Sequence, residues 1–125
     1  MTPREGPKRH EHGRAVPGGQ GFWWVDRLWN LSKSLPPFDA QIKDIAEFDM
    51  DCWFGDWEVP TCRAVADHAR RMARADMRFP IILSASGELF DGAHRIAQAW
   101  ATGQVTIRAV QFIEDPEPDW VERTH

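Results

Sequence analysis

The chain contains no tyrosine and only two cysteines, Cys52 and Cys62. Two cysteines cannot form a disulfide framework, and neither has histidine or cysteine partners at zinc-site spacing. No apolar run approaches the roughly 20 residues needed to cross a bilayer. The first twenty residues carry charges with no apolar segment behind them, which is not the pattern of a secretory signal. These absences lead to the expectation of a cytoplasmic protein with reduced thiols, no membrane span and no resident metal.

An excess of positive charge is also missing. Of 15 basic and 19 acidic side chains, four (Arg4, Lys8, Arg9, Arg14) and two (Glu5, Glu11) fall in the first twenty residues. The remainder holds 11 basic and 17 acidic groups and carries −6. Nucleic-acid phosphates call for a basic stripe, so this balance argues against DNA binding by the folded part. What the chain does have is bulk, with seven tryptophans, seven phenylalanines and 42% hydrophobic residues among 125. That is material for one small core and one domain.

Residues 1–20 are rich in Gly, Pro, Arg and His, with almost nothing apolar to offset chain entropy, so they read as a disordered basic arm. Residues 21–37 read as an N-terminal helix ended by Pro36-Pro37: Trp24, Leu28, Leu31 and Leu35 recur at helical spacing. Its tryptophans, Trp23, Trp24 and Trp29, either cap the core or stack a base or partner. From Phe38 the period becomes two, with Phe38, Ala40 and Ile42 alternating with polar residues in a half-buried strand. A helical turn at residues 45–48 leads into an acidic loop. There Asp49 and Asp51 could hold a divalent cation, although no EF-hand spacing supports it.

A second helix follows Pro60-Thr61 and runs to about Asp76, with Val65, Ala69 and Met72 as its inward stripe. His68 lies at the edge of that stripe, either packed or within reach of the site that follows. Residues 80–84 and 88–90 form a hairpin around Ser86-Gly87. A third helix spans residues 93–101 with Gly103 as its stop, and a strand over residues 105–112 closes the domain. Residues 114–125 read as an acidic, frayed tail, from which Trp120 could fold back onto the body.

The chemistry concentrates at Asp91-Gly92-Ala93-His94-Arg95. A strand handing over to a helix leaves backbone N–H groups pointing one way, and the helix dipole makes that point attractive to an anion. Gly92 lets a ligand approach the backbone, while His94 and Arg95 add donors, Arg95 in a bidentate fork. Asp91 could cap the helix, hold Mg²⁺ or accept a proton as a catalytic base.

Pro80-Ile81-Ile82-Leu83, Gly87, the turn at residues 91–95, then Ala97, Ala99 and Gly103 together resemble the ParB/sulfiredoxin-like superfamily, over residues 38–112. The resemblance implies a compact α+β domain, a small mixed sheet with flanking helices. It also implies that Gly92, Ala93, His94 and Arg95, with His68 as a further candidate, bind the phosphates of a nucleotide such as ATP, ADP or CTP, with or without Mg²⁺. Sulfiredoxins place their attacking cysteine where this chain has Ala93, which argues against sulfinic-acid reduction. Partition ParB proteins carry a Gly-Glu-Arg-Arg box and a helix-turn-helix domain, which this chain lacks. The Asp-Gly-x-His-Arg form is more similar to the superfamily's free-serine kinases and small stand-alone members. Two function classes are expected: a nucleotide-dependent phosphotransferase or hydrolase using Asp91 (or Glu47, Asp49 or Asp51) as acid–base group, and a non-catalytic nucleotide- or phosphate-sensing module acting through a partner protein.

Overall fold

The computed structural model describes residues 10–55 and 58–123. They form a small α+β domain of two sheets and three helices. In chain order these are β1 (Glu11–Val16), β2 (Gly19–Trp24), α1 (Val25–Ser32), β3 (Phe38–Gln41), two short 3₁₀ turns (Ile42–Asp44 and Ala46–Asp49), α2 (Cys62–Arg74), β4 (Ile81–Leu83), β5 (Leu89–Asp91), α3 (Ala93–Ala101), β6 (Thr106–Gln111) and β7 (Trp120–Arg123). No helix among the described residues is long and apolar enough to cross a membrane.

The central sheet has the order β3-β6-β4-β5. It is mixed: β4 and β5 form the expected antiparallel hairpin, while β4 and β6 run parallel, joined through β5 and α3. The period-two geometry of a strand sends neighbouring side chains to opposite faces. Ile81, Leu83, Leu89, Ile107 and Ala109 therefore face one core, where Ile96 and Ala99 of α3 cover them. Ile82, Phe90, Val110 and Phe112 face the other, under Trp23 and Leu28. The sheet is buried on both sides, as its nearly continuous apolar strands require.

The second sheet, β1-β2-β7, overturns two sequence expectations. Residues 11–20 are not a disordered arm: Glu11–Val16 pairs antiparallel with Gly19–Trp24, from Glu11↔Trp24 to Val16↔Gly19. The part of the arm before residue 10 lies outside the described residues. The inward side chains of β1 are His12, Arg14 and Val16, so there was almost no apolar alternation to read. Arg14 is held by charge and aromatic faces instead. It forms an ion pair with Asp115 at 2.9 Å and its guanidinium lies 4.7 Å from the Phe90 ring centroid. Pro17 and Gly18 form the turn between the two strands, Gly18 at φ +84°.

The acidic tail is likewise ordered over Trp120–Arg123, which pairs with β2, and Trp120 stacks on Phe22 at 5.1 Å. Gly19 makes this pairing possible, because a Cβ there would run into the Glu122 carbonyl. Residues 22–24 accordingly belong to β2, and α1 begins at Val25 rather than at Phe22. Leu28 and Ser32 are its buried positions, whereas Leu31 is exposed.

The inward face of α2 also differs from the expected stripe. Val65 is 48% exposed and Ala69 is exposed, while His68 is 8% exposed and is the helix's one buried residue. Thr61 caps the helix, its Oγ1 accepting from the Ala64 N–H at 3.1 Å. The apolar pattern misleads because the residue that turns inward is polar and finds its partner on α3.

Truncation before Gly21 removes β1, the Arg14–Asp115 pair and part of the cover over Phe90. It is expected to lower the melting temperature by about 10 °C or more, equivalent to a few kcal/mol for a domain of this size. Thermal unfolding followed by tryptophan fluorescence would check this, and an unchanged midpoint would show β1 to be dispensable.

Candidate functional site

The site is built where β5 hands over to α3. Gly92 adopts φ +123°, and a Cβ on it would lie 2.5 Å from Ile81 Cγ2 and 2.9 Å from Ile81 Cβ. Only glycine satisfies both the backbone angle and the packing. It serves as the N-cap of α3 without any side-chain cap, so the first N–H groups of the helix face outward with the positive end of the dipole.

Asp91 therefore does not cap. Its Oδ2 accepts from Trp29 Nε1 at 2.7 Å and from Arg95 Nη2 at 2.8 Å. Arg95 also reaches the Pro80 carbonyl at 3.4 Å and lies 5.7 Å from the Trp29 ring centroid. The Arg95 side chain is 11% exposed and that of Asp91 22%. The pair thus ties α1, β4, β5 and the first turn of α3 together. Arg95, expected to grip phosphate, is engaged internally, although its Nε is buried without a partner among the described residues.

His94 points toward α2. His68 Nδ1 and His94 Nε2 are 2.9 Å apart. The ring centroids are 5.2 Å apart with planes 16° from parallel, the geometry of two imidazoles bonded edge to edge in nearly one plane. Trp53 lies flat across both, 4.8 Å from each centroid at 13° and 6°. Only one proton fits between the facing nitrogens. Arg71 Nη1, 3.5 Å from His68 Nδ1, can only donate, which favours His94 Nε2 as the proton's owner. Burial holds the His94 pKa below its ordinary value, reinforced by His68, Arg71 and Arg95 and opposed by Asp91. His68, a secondary candidate in the sequence, is thus part of the cluster.

Trp53 is delivered by the acidic loop. Asp51 shapes that loop by accepting from the N–H groups of Trp53, Phe54 and Gly55 at 3.0, 2.8 and 2.9 Å. Those bonds, Phe54 foremost, hold its carboxyl below the usual carboxylate range. Asp51 is therefore a turn-forming residue, and no cluster of three or more metal-ligating side chains occurs among the described residues.

Behind Trp53 opens an apolar cavity of about 290 Å³. Ala93, Ile96, Ala97 and Trp100 line it from α3, Met72 from α2, Leu89 from the sheet, and Phe48, Met50 and Trp53 from the preceding turn and loop. Glu47 is the one charged residue on its wall. Glu47 Oε1 and Trp53 Nε1 are buried without hydrogen-bond partners among the described residues. Of the other carboxylate candidates, Asp49 does not line this cavity. The sequence raises Glu47 as an acid–base candidate and the spacing of the third helix turns Trp100 inward, but neither carries a signal that Trp53, Phe48 or Arg71 joins them. They come from separate segments and meet only through packing.

The chain matches no family model, no curated protein and no solved structure, so the site is read from its own geometry.

Two measurements follow. Arg95→Ala strips the Asp91 carboxylate of its cation inside the fold and should destabilise the protein by about 1.5–3 kcal/mol in denaturant unfolding, the scale of hydrogen bonds to charged groups. Because the folded His94 pKa lies below the unfolded value of 6.5, the unfolded chain takes up protons first as pH falls. Stability should be complete above about 6.5 and decline toward pH 5. His12, whose pKa burial and Arg14 also lower, contributes in the same sense. His94→Gln should flatten part of that slope, and an identical slope in the variant would assign it elsewhere.

Proposed function

We propose that the protein binds a nucleotide, or another small molecule carrying phosphate, with the phosphate at the start of α3 and the ring of the ligand in the adjoining apolar cavity. The observation that carries this reading is continuity: the cavity runs along the Ala93, Ile96, Ala97 and Trp100 face of α3 and so reaches the helix N-terminus that no side chain caps. Ligand sites combine an apolar enclosure with a few convergent polar groups. At about 290 Å³ the cavity encloses one ring system and leaves a charged group outside, at the helix start. Arg71 supplies donors beside it, where the sequence led us to expect His94 and Arg95. Mg²⁺ would arrive with the nucleotide, and Asp91 Oδ1, the oxygen not used by Trp29 or Arg95, is the protein ligand nearest the turn in sequence.

The order β3, α2, β4-β5 hairpin, α3, β6 supports the ParB/sulfiredoxin-like resemblance as our reading of the fold. A phosphotransferase or nucleotide hydrolase would use such positioning directly. The sensing module is the second reading. It is favoured by the double engagement of Asp91 Oδ2, since an oxygen already bonded to Trp29 and Arg95 is not free to take a substrate proton.

Calorimetric titration with ATP, ADP, CTP and inorganic phosphate, with and without Mg²⁺, tests the proposal. Wild type should bind at least one nucleotide. Ala97→Trp, which fills the cavity, and Arg71→Ala should each weaken binding about tenfold or more, on the order of 1.4 kcal/mol or above. Equal affinity in both variants would move the site elsewhere, and no binding to any of the four ligands would end the reading. Where turnover is seen, Asp91→Asn should reduce it by about a hundredfold if Asp91 is the acid–base group.

A further inference from the structure

The chain is acidic overall, at −4, yet its second helix presents Arg63, Arg70, Arg71 and Arg74, all exposed. Among the described residues none of the four forms an ion pair, although the acidic groups outnumber the basic ones. Asp67, within a turn of Arg63, Arg70 and Arg71, pairs with none of them.

Helix stability does not account for the arrangement. Arg71 and Arg74 lie in the last turn, where the dipole favours cations, but Arg63 lies in the first, where it disfavours them. Arg70 and Arg74 are four apart, and like charges at that spacing cost about 0.2–0.5 kcal/mol. Asp67 is the one acidic side chain of this helix, so four guanidiniums against one carboxylate leave its outer face net positive.

Along one flank of the arginine row the helix surface is aliphatic. Val65, Ala66, Ala69 and Ala73 are exposed there, short side chains over which another backbone can approach closely. From Arg63 to Arg74 the helix rises about 16 Å, three turns of a partner helix at 1.5 Å per residue.

We propose that this outer face of α2 docks an acidic amphipathic peptide segment of a partner protein. Carboxylates would meet the guanidinium forks of Arg63, Arg70 and Arg74 in bidentate pairs, and aliphatic side chains would lie on the alanine strip. A nucleic-acid strand fits less well. It would extend past a short patch into the negative field of the rest of the chain, and the strip beside the arginines offers no aromatic ring on which a base could stack.

The test uses the full chain, Arg63→Glu/Arg70→Glu/Arg74→Glu, and fluorescence anisotropy with a labelled 20-residue helical peptide of alternating glutamate and leucine faces. Circular dichroism would establish that the variant folds. Wild type should bind the peptide with an affinity that falls steeply with salt, and the triple variant at least tenfold more weakly. A peptide with lysine in place of each glutamate should bind the triple variant and not the wild type. Arg71 is untouched, so nucleotide titrations should be the same in both proteins, which keeps this proposal separable from the ligand site. Equal or absent binding of the acidic peptide in both proteins would overturn it. So would a 20-nucleotide single strand binding wild type as tightly as the peptide, or self-association in sedimentation that the triple variant abolishes.

Discussion

The carboxylate of Asp91 is the joint on which the rest of the architecture depends. It ends β5, and one of its oxygens accepts from Trp29 on α1 and Arg95 on α3. A carboxylate removed this far from water is tolerable only when paired and hydrogen-bonded. Satisfying it therefore fixes the positions of two helices packed on opposite faces of the central sheet. The Gly92 turn next to it sets how closely α3 approaches, because that backbone lies directly against Ile81. The residues that resemble a ligand-binding motif thus also hold the layers together.

That double use separates the two halves of the motif. Asp91 and Arg95, four apart on the same side, face inward to each other. His94 projects to α2, where His68 and the covering Trp53 complete a flat cluster. A basic and titratable group thereby stays beside the helix start while the strongest cation of the motif is engaged internally. Burial, reinforced by the neighbouring cations, holds the His94 pKa below its ordinary value. His94 accordingly enters the cluster at neutral pH as a neutral imidazole rather than as a fixed positive charge.

The two faces of α2 divide the molecule's chemistry. His68 and Met72 look toward α3 and the cavity, while Arg63, Arg70 and Arg74 look outward. A ligand held on one face and a partner on the other would share one rigid helix. That is the simplest physical route by which occupancy of the cavity could be felt at the surface.

Much of the central sheet was legible from local pattern alone. Short apolar strands, Ser86-Gly87 between them, Asp91-Gly92 before an alanine-rich helix and Gly103 after it are signals contained within a few residues of what they specify. Proline at 36 and 37 and the Thr61 cap are of the same kind. Tertiary structure decided everything that depended on a polar residue facing inward. The strand β1 turns His12 and Arg14 to the core side, α2 turns His68 inward, and Asp91 is held by Trp29 from sixty-two positions away. Hydrophobic periodicity is blind to such residues, because their burial is compensated by partners distant in sequence. The cavity has the same origin: its walls come from four separate segments, and no local pattern carries the information that they meet.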